Sequence, residues 1–516
     1  MRDKKFLRGA LILSIGGIIC KVLGAFYRVP LAGILGDVGM GVYQLIYPIY
    51  AFAIVFVTSG LVGALSFVVS RNKKTYGVGQ LKKFFWTGLL LSSVFCLLLG
   101  VLFIVFSDLF ASALGNIQAG AGFVVVGASA VFAGVIASIR GWFQGFEDMT
   151  PTAVSQVIEQ IIKVGVGIWL AIVLTPRGIS WGVAGAFLGV LLGEVVATLY
   201  LLVRFAISKK KFEFSKSRRK LSFFSATKIL VGKWFAFGVS GLVVPLMVAV
   251  DSFLVVNLLG RAGIEQGVAT ALFGIQSGMI NSLINFPMVL AIALSTSIIP
   301  SISFLAKQKK TKEVAEKTNL SLKLVLVFTV PCALGMMIIA PNVLTLFYPK
   351  LSPDMREVAV VLLLISAFNI IYLGLLQITS SILQALGHVY IPVFSNLFGC
   401  FVKIALTLIL VPNPNVNIFG SAVAGVVAYL VPCFINIFAL RREVRLGIGG
   451  AFCGVLVLAS VCMAGVTLLL NSILFSRTGL AFCTLLCIAA AVAIYFGVML
   501  GLRAINVSDL KNTKKV

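Results

Sequence analysis

Apolar runs long enough to cross a bilayer recur from Phe6 almost to the end of this chain. A spanning helix needs about 20 apolar residues. Within hydrocarbon, every backbone polar group must be paired by the segment itself or its neighbours. Runs of this length read as a bundle of spanning helices. Fourteen spans are expected, at approximately 6–35, 42–70, 84–107, 120–143, 152–175, 181–207, 231–259, 272–305, 319–341, 358–385, 390–411, 417–440, 449–472 and 478–502. The composition agrees: 60% of the 516 residues are hydrophobic and 11% charged, unlike any soluble domain. The basic start, MRDKKFLRGA, reads as the opening of a retained helix, because the apolar run behind it is too long for a signal peptide.

The net charge of +26 would point to nucleic acid in a soluble protein. Here topology explains it. Counting alternate segments from the N-terminus, 33 of the 42 lysines and arginines fall on one side, five on the other and four inside spans. Basic residues collect in cytoplasmic loops, so a multi-pass plasma-membrane protein with both termini cytoplasmic is expected. No nucleic-acid partner is.

An internal repeat sets the domain organisation. Gln144, Pro151 and Lys163 recur as Gln384, Pro392 and Lys403, with 19 residues from Gln to Lys in both copies. ILGDVG (Ile34–Gly39) recurs as LLGRAG (Leu258–Gly263). The expected class is therefore an all-α polytopic membrane protein: two six-helix lobes related by a pseudo-two-fold along the membrane normal, plus two extra C-terminal helices. The lobes are placed at 1–207 and 231–445, separated by a basic linker at 208–230; spans 13–14 occupy 446–505 and a cytoplasmic tail 506–516. Repeats of this kind bind cargo between their copies. The linker reads as a solvated connection carrying topology charge, or as a site for anionic membrane lipids.

Charges inside spans are expensive, roughly 2.5–3.5 kcal/mol each on insertion scales, and normally face a partner or a wet cavity. Seven lie deep: Lys21, Arg28, Glu159, Lys163, Glu194, Asp251 and Lys403. Lys21 and Arg28 share a face of the first helix, two turns apart. They are the candidate substrate-binding residues, for an anion; snorkelling or paired structural charges are the plainer reading. Glu159 and Lys163 have the spacing of a local ion pair. Those two and Lys403 are assigned a structural or cavity role. Asp251 and Arg28 hold nearly corresponding places in the two copies and form either a gate or a static pair. Asp251 and Glu194 are the gating or ion-coupling candidates.

Tyr43, Tyr47 and Tyr50 share a face; an aromatic belt explains them, and Gln44 with Pro48 makes a cavity wall the alternative. Pro287 and Pro300 are expected to break the eighth span, with Ser295, Thr296 and Ser297 satisfying the freed backbone. The nine cysteines lie in apolar stretches without a CxxC pair and read as buried small hydrophobes. With a single histidine, His388, no metal-spaced cluster and no GxxxxGK[ST] loop, neither catalysis, metal binding nor ATP hydrolysis is expected, and no cofactor.

Three stretches, FLRGALILSIGGIICKVLGAFYRVPLAGILGDVGMGVYQLIYPIY, RGWFQGFEDMTPTAVSQVIEQ and LINFPMVLAIALSTSIIPSIS, resemble the stage V sporulation protein B branch of the polysaccharide-transporter family, which includes lipid II flippases. The likeness covers essentially residues 1–505. It implies two lobes working by alternating access on a lipid-linked cell-wall precursor, an undecaprenyl pyrophosphate carrying a glycan. It also implies a cationic first helix, matched by Lys21 and Arg28. Further cations of lipid II flippases in spans 2 and 8 are replaced here by Ile54 and Ser282, and an acid near Phe286 by Asn285.

The function expected is thus a flippase moving that cargo to the outer leaflet, reset by a proton or sodium ion. The alternatives are a cation-coupled multidrug exporter of the same superfamily, with an acid-dominated cavity, and a non-transporting scaffold for spore or wall assembly.

Overall fold

The computed structural model describes residues 2–73, 78–208, 222–447, 449–474 and 479–502. Much of the basic linker (209–221) and the C-terminal tail lie outside these residues. Among them twelve helices are long and apolar enough to cross a membrane. One of these, α1, is 71 residues long and bends at Gly36, enough for two crossings, and α7 adds a further 39-residue helix, which agrees with the fourteen expected spans.

By internal contacts the chain divides into two compact units, Met1–Gly278 and Met279–Val516. The first holds α1 (Arg2–Asn72), α2 (Val78–Val105), α3 (Ser107–Ala113), α4 (Gly120–Gly145), α5 (Thr150–Leu174), α6 (Ile179–Ser208), α7 (Phe223–Arg261) and α8 (Gln266–Phe273). α1 is two helices that meet with no intervening loop at Gly36, whose φ of 72° and ψ of −172° suit only glycine. The turn is sharp. Arg28 and Tyr47 would stand about 28 Å apart along a straight helix, yet the guanidinium lies 5.9 Å from the tyrosine ring. α7, expected to open the second lobe, packs along α1 within this unit.

α5 and α6 form an extensive contact, because glycines bring their backbones together. A Cβ on Gly189 would stand 2.3 Å from the Cα of Gly167. Small residues serve this purpose in membranes, where lipid supplies no hydrophobic drive between helices.

The second unit holds α9 (Asn281–Lys307), α10 (Thr311–Ile338), α11 (Ala340–Phe347), α12 (Pro353–Ser366), α13 (Phe368–Ala385), α14 (Tyr390–Leu410), α15 (Asn417–Glu443), α16 (Gly450–Leu474) and α17 (Leu480–Gly501). The expected break of the eighth span falls elsewhere. α9 runs through Pro287, while the irregular stretch is a π-helical segment, Gly274–Ile280. Prolines are tolerated in membrane helices when neighbours re-satisfy the backbone. At Gly274 the cause of irregularity is close approach: a Cβ there would stand 2.2 Å from the carbonyl oxygen of Asp37. α16 and α17 pack on each other and on α10, around Val327, Leu456, Met463 and Tyr495. The cysteines are free thiols; five are buried, but Cys453 is exposed on α16 and corrects the expectation that all are buried.

Candidate functional site

A cavity of about 620 Å³ lies within the first unit. The second half of α1 supplies Tyr47, Tyr50, Thr58 and Ser59; α4 supplies Arg140 and Gln144. α5 contributes Thr152, Gln156, Glu159, Gln160 and Lys163, and α6 contributes Glu194. Helical spacing explains the rows. Thr152, Gln156, Glu159 and Lys163 recur every three or four residues, so they share one face of α5.

Arg140 is 8% exposed. Its Nη2 lies 2.9 Å from Glu159 Oε2, and its Nε donates to the Ser155 hydroxyl at 2.9 Å. Glu159 therefore does not pair with Lys163. The guanidinium, fixed by Ser155 and presenting a planar fork, takes the carboxylate instead. Lys163 turns to aromatic faces: its Nζ is 4.9 Å from the ring centre of Tyr47 and 5.5 Å from that of Tyr27. Arg28 approaches the same Tyr47 ring. Two cations thus approach one tyrosine ring, and neither makes an ion pair among the described residues.

Glu194 is buried, 5% exposed. Its Oε1 is 2.5 Å from the Tyr50 hydroxyl and its Oε2 2.6 Å from the Ser129 hydroxyl. The two hydroxyls are 3.0 Å from each other. Tyr43 is also buried, stacked on Phe187 with ring centres 4.7 Å apart. The three tyrosines therefore do not form an aromatic belt. They face protein, as a wall between α1 and α6, and Tyr47 and Tyr50 line the cavity. Gln44 serves another purpose: its side-chain amide donates to the Ser277 carbonyl at 2.5 Å, while its backbone carbonyl accepts from the Ser252 hydroxyl at 3.0 Å.

The other expected site residues lie apart. Lys21 is exposed on α1. Asp251 is half-buried on α7, beside Ser252. It makes no ion pair with Arg28, which meets Tyr47 instead. Lys403, in the second unit, is buried on α14. The sequence singles out Tyr50, together with Tyr43 and Tyr47, but neither Arg140 nor Ser129. Arg140 lies three residues before the expected end of its span at 143, where a cation passes for a loop charge.

A polytopic helical bundle with a charged, partly open cavity in its interior is the build of a membrane transporter, and the fold matches that class. It superimposes on the lipid II flippase MurJ in an inward-closed conformation with a TM-score of 0.71, at 18% identity, over 95% of this chain and 98% of that one. The protein belongs to the polysaccharide biosynthesis protein family, which matches residues 6–306; the MatE family matches residues 237–409. It is 26% identical to stage V sporulation protein B of Bacillus subtilis (strain 168), over 87% of this chain and 86% of that protein. It is 23% identical to the lipid II flippase MurJ of the same organism, over 86% and 83%. Together these make it a multi-pass flippase or exporter of the multidrug/oligosaccharidyl-lipid/polysaccharide superfamily.

Proposed function

We propose that this protein carries a lipid-linked glycan of the undecaprenyl pyrophosphate type, such as lipid II, from the inner to the outer leaflet by alternating access. The observation that carries this reading is the pair of cations, Arg28 and Lys163, at the ring of Tyr47 with no acid ion-paired to them among the described residues. Unpaired cations at membrane depth are costly, and a pyrophosphate supplies the missing counter-charge. Lys21, two turns from Arg28 on the same helical face, receives the head group first, while the polyprenyl tail stays in lipid. With both termini cytoplasmic, an inside-negative potential favours export by roughly 2.3 kcal/mol per net negative charge per 100 mV. The basic linker meets anionic lipid on the cytoplasmic surface. Asp251 and Glu194 are the groups through which an ion resets the carrier.

The test is flipping of fluorescent lipid II, and of other polyprenyl-pyrophosphate glycans, in vesicles holding the purified protein. Wild type is expected to flip at least one of them. Arg28→Ala/Lys163→Ala is expected to lose most of that rate, and Lys21→Ala a smaller part. Flipping that survives the double substitution rejects the cation pair as the head-group site.

The multidrug-exporter reading draws on Glu159 and Glu194, which line the same cavity. It is the weaker of the two, because Arg140 already neutralises Glu159 and Glu194 is enclosed by hydroxyls. Energised uptake of a cationic dye in the same vesicles, in place of lipid flipping, would favour it.

A further inference from the structure

The Glu194 cluster has three oxygen vertices from three helices: Tyr50 of α1, Ser129 of α4 and Glu194 of α6. All three edges are at hydrogen-bond distance: 2.5 Å from Tyr50 to Glu194, 2.6 Å from Ser129 to Glu194 and 3.0 Å from Tyr50 to Ser129. Each edge needs one hydrogen. Tyr50 and Ser129 bring one each. If Glu194 is ionised it brings none. Both hydroxyls then donate to the carboxylate, and the Tyr50–Ser129 edge becomes two oxygens facing each other without a hydrogen between them. If Glu194 is protonated the count closes. Its acid O–H donates to one hydroxyl, that hydroxyl donates to the other, and the second donates to the remaining carboxyl oxygen. Each vertex donates once and accepts once.

The geometry points to a proton-binding site at Glu194, occupied in this conformation, with Tyr50 and Ser129 completing a closed ring of three hydrogen bonds. A metal cation does not fit between these vertices. Even Mg²⁺ holds its oxygens at about 2.0–2.1 Å, which sets separate neighbouring ligands near 2.9 Å apart, wider than the 2.5 and 2.6 Å edges to Glu194. The ring opens on the cavity, where Glu194 is part of the wall. The other charged and titratable groups there are Glu159 and Lys163 from α5, Arg140 from α4 and Tyr47 from α1. Cys96 of α2 is within electrostatic reach behind α4. Arg140 and Glu159 neutralise each other, so Glu194 is the acid left to take up and release a proton.

The consequence for movement follows from the edge that fails. Loss of the proton sets Tyr50 against Ser129 and loosens α1 from α4 along the cavity wall; binding draws α1, α4 and α6 together. On the transport reading above, which this step rests on, the coupling ion is a proton and the ring is where it is carried.

Infrared spectroscopy of the purified protein in lipid vesicles decides the proton site without any transport. Near neutral pH the wild-type spectrum minus that of Glu194→Gln is expected to show a protonated carboxylic acid band. That band should shift in D₂O and vanish at alkaline pH. The amide both donates and accepts, so Glu194→Gln keeps the ring and the fold. Ser129→Ala provides a second check: the same band should move to higher frequency as the carboxyl loses a hydrogen-bond partner. A difference spectrum with no such band, or one whose band Ser129→Ala leaves unmoved, overturns the proposal. Transport is the separate arm. Wild-type flipping is expected to respond to an imposed pH gradient, and Glu194→Gln to lose that response. A gradient response that Glu194→Gln retains overturns proton coupling at this ring. Absence of flipping by wild type removes the transport reading alone, and the infrared result then stands by itself.

Discussion

Arg140 illustrates what a single residue decides. Its cation is needed because Glu159 faces the cavity from α5, and the pair is largely shielded from solvent, with side chains 10% and 31% exposed. Breaking a buried pair from one side strands a charge and costs about 3–5 kcal/mol, whereas replacing both partners is often close to neutral. Arg140→Met is therefore expected to lower thermal stability in detergent markedly, and Arg140→Met/Glu159→Gln to recover most of the loss. Equal damage from the single and double variants would mean that packing, not charge, sets the effect. The pairing was only half legible beforehand. The spacing of Glu159 and Lys163 suggests a local partner, but Arg140 comes from another helix and already holds Ser155. Nothing in a linear pattern ranks these two partners.

At the scale of elements, close contact between α1 and α8 depends on glycine. A Cβ on Gly274 would meet Asp37 O at 2.2 Å and Gly41 N at 2.4 Å, both backbone atoms that cannot give way. Nearby, the Asn116 amide donates to the Thr270 hydroxyl at 2.9 Å. Gly274→Ala is expected to displace α8 and the π-helical segment after it from α1. The readout is disulfide formation between Asn116→Cys and Thr270→Cys in a chain lacking its other cysteines. The yield should fall strongly with Gly274→Ala and stay unchanged with Gly267→Ala, whose Cβ meets nothing within 4 Å. Hydropathy located these helices well. It could not place the π-helical segment or show that Gly36 joins two spans without a loop, because both depend on contacts between helices.

For the whole molecule, α16 and α17 are the elements outside the repeat. They cover Val327 of α10, with Leu326, Val330 and Leu334 packed around it. In water, uncovering such residues costs roughly 1.5–3 kcal/mol each. In a bilayer, lipid tails cover them again, and only packing is lost. A chain ending at Leu446 is thus expected to stay folded in vesicles, keep the first unit's cavity and still flip lipid. Loss of flipping with the fold intact would assign these helices a part in moving the cargo.

The sequence by itself determined the helical membrane fold, the number of spans and the superfamily. Span length and charge bias are local consequences of the bilayer as solvent, and the family motifs are contiguous. It also picked out Arg28, Lys163, Glu159 and Glu194, since an intramembrane charge stands out in an apolar run. Only the tertiary structure decided their partners. Glu194 meets Tyr50 and Ser129 across 144 and 65 residues of chain, and Arg28 reaches Tyr47 because Gly36 turns the helix back. Such contacts depend on which helix faces come together and how closely glycines let them approach. That information is spread over several helices at once and is not present in the periodicity of any one.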